Sequence, residues 1–469
     1  MTMLKVTLGT LTTIFCIVAL IVVFYWRDIG FEPSSKDLAI FFIALPILLT
    51  VCILSPLYIM KWLEHRKIKA EEAQEQAIQE ESGVTPIPEI DPTCIELQIY
   101  SSHCIHTFGE DAEIKQAIQE FSGPELDQNL TNQYGLPIVS YRIQDLELID
   151  VDEDIYASEL QQRLLSLIKG QFDYYYSEII SIIEHIKKST LFYDRQLAYE
   201  YKIHPAWINP NNQSMVEDVE EEVLEEVTKL SYFNIHIILS ESHVHSFDEV
   251  MTKELLEEEL FNLGILRQQV RVYFHYWDQK LAYQNWLEQL KASAKIEDEI
   301  CCFIVVDSDI NQEILDEKSY IRENYIPSEF ACSCLVGSSK LIVEDLVPDK
   351  LVYIIENEKS LKNSLSLLKL EESSQFESEQ PFVMILDSIE GAKVSKQLNQ
   401  FFSETLIETQ HFLLIKQSLG HTQTLSDVWG SILGMQTSED KFSLVFGLKY
   451  PQIQLFILPK ELENSLAPN

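Results

Sequence analysis

Four groups of residues have types and spacings that chemistry could use. His243 and His245 stand two apart just beyond His236, and with His275 they offer imidazoles of the kind that ligate zinc. A zinc centre also needs a third or fourth ligand and outer hydrogen bonds to orient the rings, so histidines in a loop after a strand are the simpler expectation. Asp307-Ser308-Asp309 closes the apolar run Cys301 to Val306. An Asp-x-Asp at a strand's carboxyl end suits a divalent cation in glycosyl or phosphoryl transfer, and suits a helix cap or turn more often. Cys332-Ser333-Cys334 sets two thiols on one face of a strand, where packing is a simpler role than redox exchange. The fourth group is Lys416-Gln417-Ser418-Leu419-Gly420-His421-Thr422, a lysine five residues ahead of a histidine, with a helical run through Trp429 to Leu433 beyond it.

Other chemistries are missing their signatures. The chain contains no Walker A loop, no dinucleotide GxGxxG and no HExxH. Glycine is scarce, at 14 of 469 residues, or about 3% against a usual ~7%. Few places therefore let backbone approach a phosphate or acyl group closely. No cofactor and no metal is expected.

The elements that must position these groups are legible as apolar runs. Strands are predicted at Ile95–Tyr100, Ile138–Ile143, Phe233–Leu239, Val270–Tyr276, Ile300–Val306, Cys332–Val336, Phe382–Leu386 and Phe412–Lys416, with a closing pair at Phe442–Leu448 and Ile453–Leu458. Helical patterns fill roughly 156–188, 247–262 and 392–403. Alternation of the two predicts a layered α/β fold with largely parallel sheets and no short-period repeat. The acidic run Glu217 to Glu226 reads as a solvated helix face.

Ahead of these elements stand two uncharged runs, Val6 to Tyr25 and Leu38 to Met60. Each is long enough to cross a hydrocarbon core about 30 Å thick. Residues 1–69 are thus expected to form two transmembrane helices (about 6–25 and 38–60) with a basic collar, and 70–93 a helical and proline-containing linker. Lys61, Arg66, Lys67 and Lys69 follow the second run, against Arg27 and Lys36 in the connecting loop. That excess places the large carboxyl-terminal domain in the cytoplasm. The chain as a whole is strongly acidic: 74 Asp and Glu outnumber 35 Lys and Arg, for a net charge of −39. Such a charge repels phosphate backbones, so nucleic acid is excluded as a partner. Six cysteines outside the apolar runs, with no framework spacing, fit a reducing compartment.

The Lys416–Thr422 segment and the helix after it resemble the lysine–glycine–histidine–threonine motif of the β-ketoacyl synthase (thiolase-like) family. Ile304-Val305-Val306-Asp307-Ser308 is similar to that family's strand ending in Asp-Ser. Ile326-Pro327-Ser328-Glu329-Phe330-Ala331 is similar to its Pro-Gly-Glu-Gly-Ala turn, with both glycines replaced. The resemblance implies a thiolase-like domain with α-β-α-β-α layers, its halves at 94–300 and 301–469. It also implies a histidine that activates a carbanion and a lysine that supports it. The nucleophilic cysteine of the family has no counterpart, since no cysteine lies between Cys104 and Cys301. Where the first catalytic histidine would stand, the chain reads Asp387-Ser388-Ile389-Glu390-Gly391. Lys416, Gly420, His421 and Thr422 are therefore expected to be vestigial, no residue to be catalytic, and the domain to be a pseudoenzyme. A two-span anchor, a linker and a degenerate thiolase-like domain together resemble the lipase-adaptor family of bacterial type VI secretion. That implies an inner-membrane adaptor that binds an effector or an apparatus subunit. The alternatives are a membrane-bound condensing enzyme with a displaced nucleophile, and a structural inner-membrane scaffold.

Overall fold

The computed structural model describes residues 92–149, 158–207, 226–358 and, with short gaps, 360–460, besides a few isolated earlier positions. The two apolar runs, the basic collar, the linker up to residue 91, the acidic run before Glu226 and the segment 387–391 lie outside the described residues, apart from a few isolated positions in the apolar runs and between them. Among the described residues, no helix is long and apolar enough to cross a membrane. The chain divides into two compact units, Met1–Ile90 and Asp91–Asn469, and the elements below belong to the second.

Its strands are β1 (Thr93–His106), β2 (Gly109–Glu110), β3 (Glu125–Thr131), β4 (Pro137–Ser140), β5 (Tyr232–Ser240), β6 (Val270–Trp277), β7 (Glu299–Ser308) and β8 (Glu329–Ser338). β9 (Lys350–Glu356), β10 (Val383–Ile385), β11 (Phe412–Leu414), β12 (Ser443–Phe446) and β13 (Ile453–Pro459) follow. The helices that matter to the site are α1 (Ala112–Gln119), α2 (Glu159–Tyr174), α3 (Tyr176–Tyr193), α4 (Arg195–Ile203) and α5 (Glu249–Leu263). After them come α6 (Ala282–Lys295), α7 (Gln312–Ile321), α8 (Leu361–Leu367) and α9 (Ser426–Met435).

The main sheet runs β11-β10-β12-β13-β9-β1-β8-β7-β5-β6, with β2 attached to β1, and β3-β4 forming a separate hairpin. This order contains a duplication. One half uses β1, β5, β6, β7 and β8; the other uses β9 to β13. Numbered along the chain within each half, both show the spatial order third, second, fourth, fifth, first. The directions repeat as well. The second strand is parallel to the third and fourth, whereas the fifth is antiparallel to both the fourth and the first. The two first strands, β1 and β9, pair antiparallel with Leu97 opposite Val352, so the halves are related by an approximate twofold.

The expectation of largely parallel sheets is thereby corrected. Parallel pairing is confined to β5 with β6 and β7, and β10 with β11 and β12, where helices or long connections make the crossover. The β7–β8 pair, the closing β12–β13 hairpin and the join between halves are antiparallel.

Three apolar cores give the layers. On one face of the first half, Ile235, Ile237 and Leu239 of β5 pack with Leu164 and Ile168 of α2, Ile179 and Ile183 of α3, and Leu256 of α5. On an outer face of the second half, Val383, Leu444 and Phe456 pack with Leu361 and Leu365 of α8. Between the two halves, Trp286 and Leu290 of α6 and Trp429 and Ile432 of α9 share one core with strands of both. Helices therefore lie outside, between and outside the two sheet halves, in five layers. β7 and β8 are covered on both faces, which is why Ile300 to Val306 is a continuous apolar run rather than an alternating one.

Candidate functional site

β11 ends at Leu414, and Ile415–Leu419 forms a 3-10 helix rather than the predicted strand end. The hydroxyl of Ser418 donates to the Ile415 carbonyl (2.8 Å), closing the turn locally. Gly420 then adopts φ +53°, ψ −115°. A Cβ there would lie 2.5 Å from the Ile326 carbonyl oxygen, so no side chain fits without backbone movement. Gly420→Ala is expected to lower unfolding free energy by roughly 2–4 kcal/mol, from the left-handed strain and the clash together. Chemical denaturation of the full-length chain measures this.

The close approach at Gly420 lets the next two residues zip onto segment 325–328. The His421 N–H donates to the Ile326 carbonyl (3.0 Å), and the Ile326 N–H donates to His421 Nδ1 (2.8 Å). An Nδ1 that accepts carries no proton, so the ring is neutral with its hydrogen on Nε2. Burial and the neighbouring Arg322 hold its pKa below the usual histidine value. Thr422 Oγ1 accepts from the Ser328 N–H (2.9 Å) and donates to Asp309 (2.8 Å). Asp309 also accepts from Tyr325 Oη and from Lys318 Nζ, each at 2.5 Å. Lys416 Nζ lies 3.2 Å from the carboxylate of Asp427 in the first turn of α9, and both are nearly buried.

The structure thus brings together two of the sequence groups, Asp307–Asp309 and Lys416–Thr422, but as a buried polar network. Asp309 does not cap a helix, since Asn311 caps α7, and its carboxylate is taken up by Lys318, Tyr325 and Thr422. Ser308 donates to Glu329 (3.0 Å). Asp307 faces His243 (Nε2···Oδ1 3.1 Å), and complete burial pushes its carboxyl pKa up against the pull of that histidine. The histidine group is split. His243 belongs to Asp307, His245 is exposed, and only His236 and His275 meet, at 3.0 Å. Among the described residues, no group of three or more His, Cys, Asp or Glu could hold a metal ion.

Cys332 and Cys334 share the central core, as alternate strand residues do, and burial pushes both thiols well above their ordinary pKa. Burial moves Cys301 up to about 11. None of the described cysteines stands at a helix amino terminus. The turn entering α6 reads Asp278-Gln279-Lys280-Leu281-Ala282-Tyr283, with Asp278 accepting from the Leu281 N–H (2.8 Å). The Tyr283 ring lies beside Gly447 and fills that end of the central layer.

Sequence reasoning did not single out Arg163, which pairs with Glu329, nor Tyr325. Arg163 did leave a signal: it is a cation within the otherwise apolar Leu160–Leu164–Leu167 stripe of α2. His106 was also missed. It is buried, neither ring nitrogen has a hydrogen-bond partner among the described residues, and burial lowers its pKa to about 3. Its ring sits against Phe108, Tyr141 and Trp429, with centroids 4.7, 5.5 and 5.6 Å away. Because the folded state keeps this base neutral, its contribution is fully present above the unfolded pKa of about 6.5 and is lost as pH falls towards 3. Unfolding free energy is expected to fall between those limits by up to ~1.4 kcal/mol per pH unit from this group. The slope should shrink in His106→Phe, as read by denaturation at a series of pH values.

No protein-family model and no curated protein matches the chain. Solved structures do. The ketosynthase from module 1 of the bacillaene synthase of Bacillus amyloliquefaciens FZB42 is 10% identical over 80% of this chain and 76% of that one, with a TM-score of 0.36. The module 6 ketosynthase of the Bacillus subtilis 168 bacillaene synthase is 11% identical over 77% and 69%, with a TM-score of 0.39. Cerulenin-bound OleA of Xanthomonas campestris is 10% identical over 80% and 99%, with a TM-score of 0.30. At these values the likeness assigns neither family nor activity.

Proposed function

We propose that this chain is a membrane-anchored, non-catalytic binding protein built on a degenerate thiolase-like domain. Its place would be at the bacterial inner membrane, as an adaptor or accessory of type VI secretion. The observation that carries the non-catalytic part is the placement of the thiols. Acyl transfer needs a thiolate, favoured at a helix amino terminus and disfavoured in an apolar core. Here the described cysteines lie in or at the start of sheet strands, and the turn before α6 holds none. The layered arrangement and the docking of Gly420-His421-Thr422 onto Ile326–Ser328 support descent from a thiolase-like ancestor. The anchor rests on the two apolar runs, and the secretion role on the resemblance of the whole arrangement to the lipase adaptors. Co-purification of the detergent-solubilised full-length chain tests the reading: a secreted effector or apparatus subunit in fixed proportion is the expected result. A chain that is released from membranes by carbonate washing, or that purifies alone, would contradict it.

The second reading, a condensing enzyme with a displaced nucleophile, is favoured by one detail. The tautomer of His421 leaves an Nε2–H as donor, with Lys416 a few residues away.

A further inference from the structure

We infer that a groove beside the carboxyl end of β1 and α2 is a docking site for a cationic amphipathic peptide segment of a partner protein. The groove has a volume of about 760 Å3 and lies between Ile105–Glu110, Ile143–Ile149 and the Ser166–Asp173 stretch of α2, with Glu125 also bordering it. This rests on the reading of the domain as a binding protein, and is independent of which system that protein serves.

The walls are preformed. Ile143–Ile149 has neither helix nor strand, yet both its ends are tied down. The Ile143 N–H donates to Glu329 (2.9 Å), and the Ile149 N–H donates to Ser166 Oγ (2.9 Å). On α2, Gly170 leaves open space, since a Cβ there would meet nothing within 4 Å.

Polarity is divided across the groove. Ile105, Leu146 and Ile149 are half-buried and Leu148 is 41% exposed, so these four offer apolar contact area. Glu110, Glu125, Asp145 and Glu147 are exposed, and none of their carboxylates has a hydrogen bond or ion pair among the described residues. Lys169, the lysine of the lining, is already engaged by Asp173 and by Glu259 (2.9 Å). Four unbalanced carboxylates beside apolar side chains are complementary to Lys or Arg interleaved with Leu, Ile or Phe. Such a segment relieves the repulsion among the carboxylates and covers the apolar surface in one step. A bare polyamine or divalent cation answers the carboxylates alone and leaves the apolar side chains wet.

The test uses the purified full-length chain in phosphatidylcholine nanodiscs and a dye-labelled, amidated twelve-residue peptide of lysine pairs separated by single leucines. Fluorescence anisotropy, read against empty nanodiscs, is expected to show one saturable site that weakens as salt rises. Neutralising the four carboxylates together (Glu110→Gln, Glu125→Gln, Asp145→Asn, Glu147→Gln) should weaken binding at least about tenfold and flatten its salt dependence. Leu148→Ser should weaken it by about threefold or more at every salt concentration. A charge-matched control at exposed positions elsewhere (Glu254→Gln, Glu258→Gln, Glu313→Gln, Glu317→Gln) should stay within about twofold of the wild type. Equal loss in the two quadruple variants would assign binding to the overall charge of −39 and overturn the site. Spermine binding as tightly as the peptide would overturn it as well. Should the first quadruple variant fail to fold, hydrogen exchange in the wild type decides: the peptide should slow exchange across 143–149, and unchanged exchange there excludes the groove. A chain that binds the peptide but carries no partner out of the membrane would count against the adaptor role alone. A chain that co-purifies with a partner but ignores the peptide would count against this groove alone.

Discussion

Glu329→Ala is expected to lower unfolding free energy by about 3–5 kcal/mol, among the largest effects of any single change in the domain. Glu329 opens β8 and is fully buried. Its carboxylate accepts from Arg163 Nε (2.9 Å), from a second Arg163 nitrogen, from the Ile143 N–H (2.9 Å) and from Ser308 Oγ (3.0 Å). Removing it strands the Arg163 guanidinium in the interior, where the Ile143 carbonyl (3.2 Å) is the one remaining hydrogen-bond acceptor among the described residues, with Glu159 and Asp127 acting on it at longer range. An unpaired buried charge costs far more than the net worth of the pair. The double change Glu329→Met with Arg163→Met should recover most of the loss, because it leaves no charge behind. Urea denaturation of the full-length chain would show both effects. A single-variant loss under about 1 kcal/mol would mean that water reaches the pair.

Trp429→Ala is the second large effect, at roughly 3–5 kcal/mol for a fully buried aromatic whose cavity cannot collapse. Trp429 stands in the first turns of α9 and packs on Phe330 of β8 (5.6 Å) and on His106 at the end of β1. It therefore joins a helix of the second half to strands of the first. Trp286 is its counterpart in α6, edge-on to Phe303 of β7 (5.2 Å). Both indoles lie in the one core between the sheet halves. Either truncation should lower a single cooperative transition, whereas two separated transitions would show that the halves unfold independently.

What the sequence made legible follows from burial. β5, β6 and β7 were readable as Phe233–Leu239, Val270–Tyr276 and Ile300–Val306 because apolar residues dominate each run. The start of β8 was hidden: Glu329 is a carboxylate that only a distant arginine makes tolerable in the interior, so the strand read as beginning at Cys332. β9 escaped for a similar reason, since Lys350 and Glu356 bound its apolar run and Lys350 is itself buried. The Asp309–Thr422 bond spans 113 residues and has no local signature. Gly420-His421-Thr422 was legible as a unit, but what it touches was not. The duplicated strand order was invisible because it repeats in topology and not in residue type.

The central claim is that Lys416-to-Thr422 holds structure and carries no acyl chemistry. Incubating the purified full-length chain with acyl carrier protein loaded with a labelled acyl chain, then measuring the intact mass, tests it most directly. The predicted result is an unchanged mass, in the wild type and in a folded His421→Ala chain alike. A mass increase equal to the acyl group, present in the wild type and lost in His421→Ala, would contradict the claim and restore the domain as an enzyme.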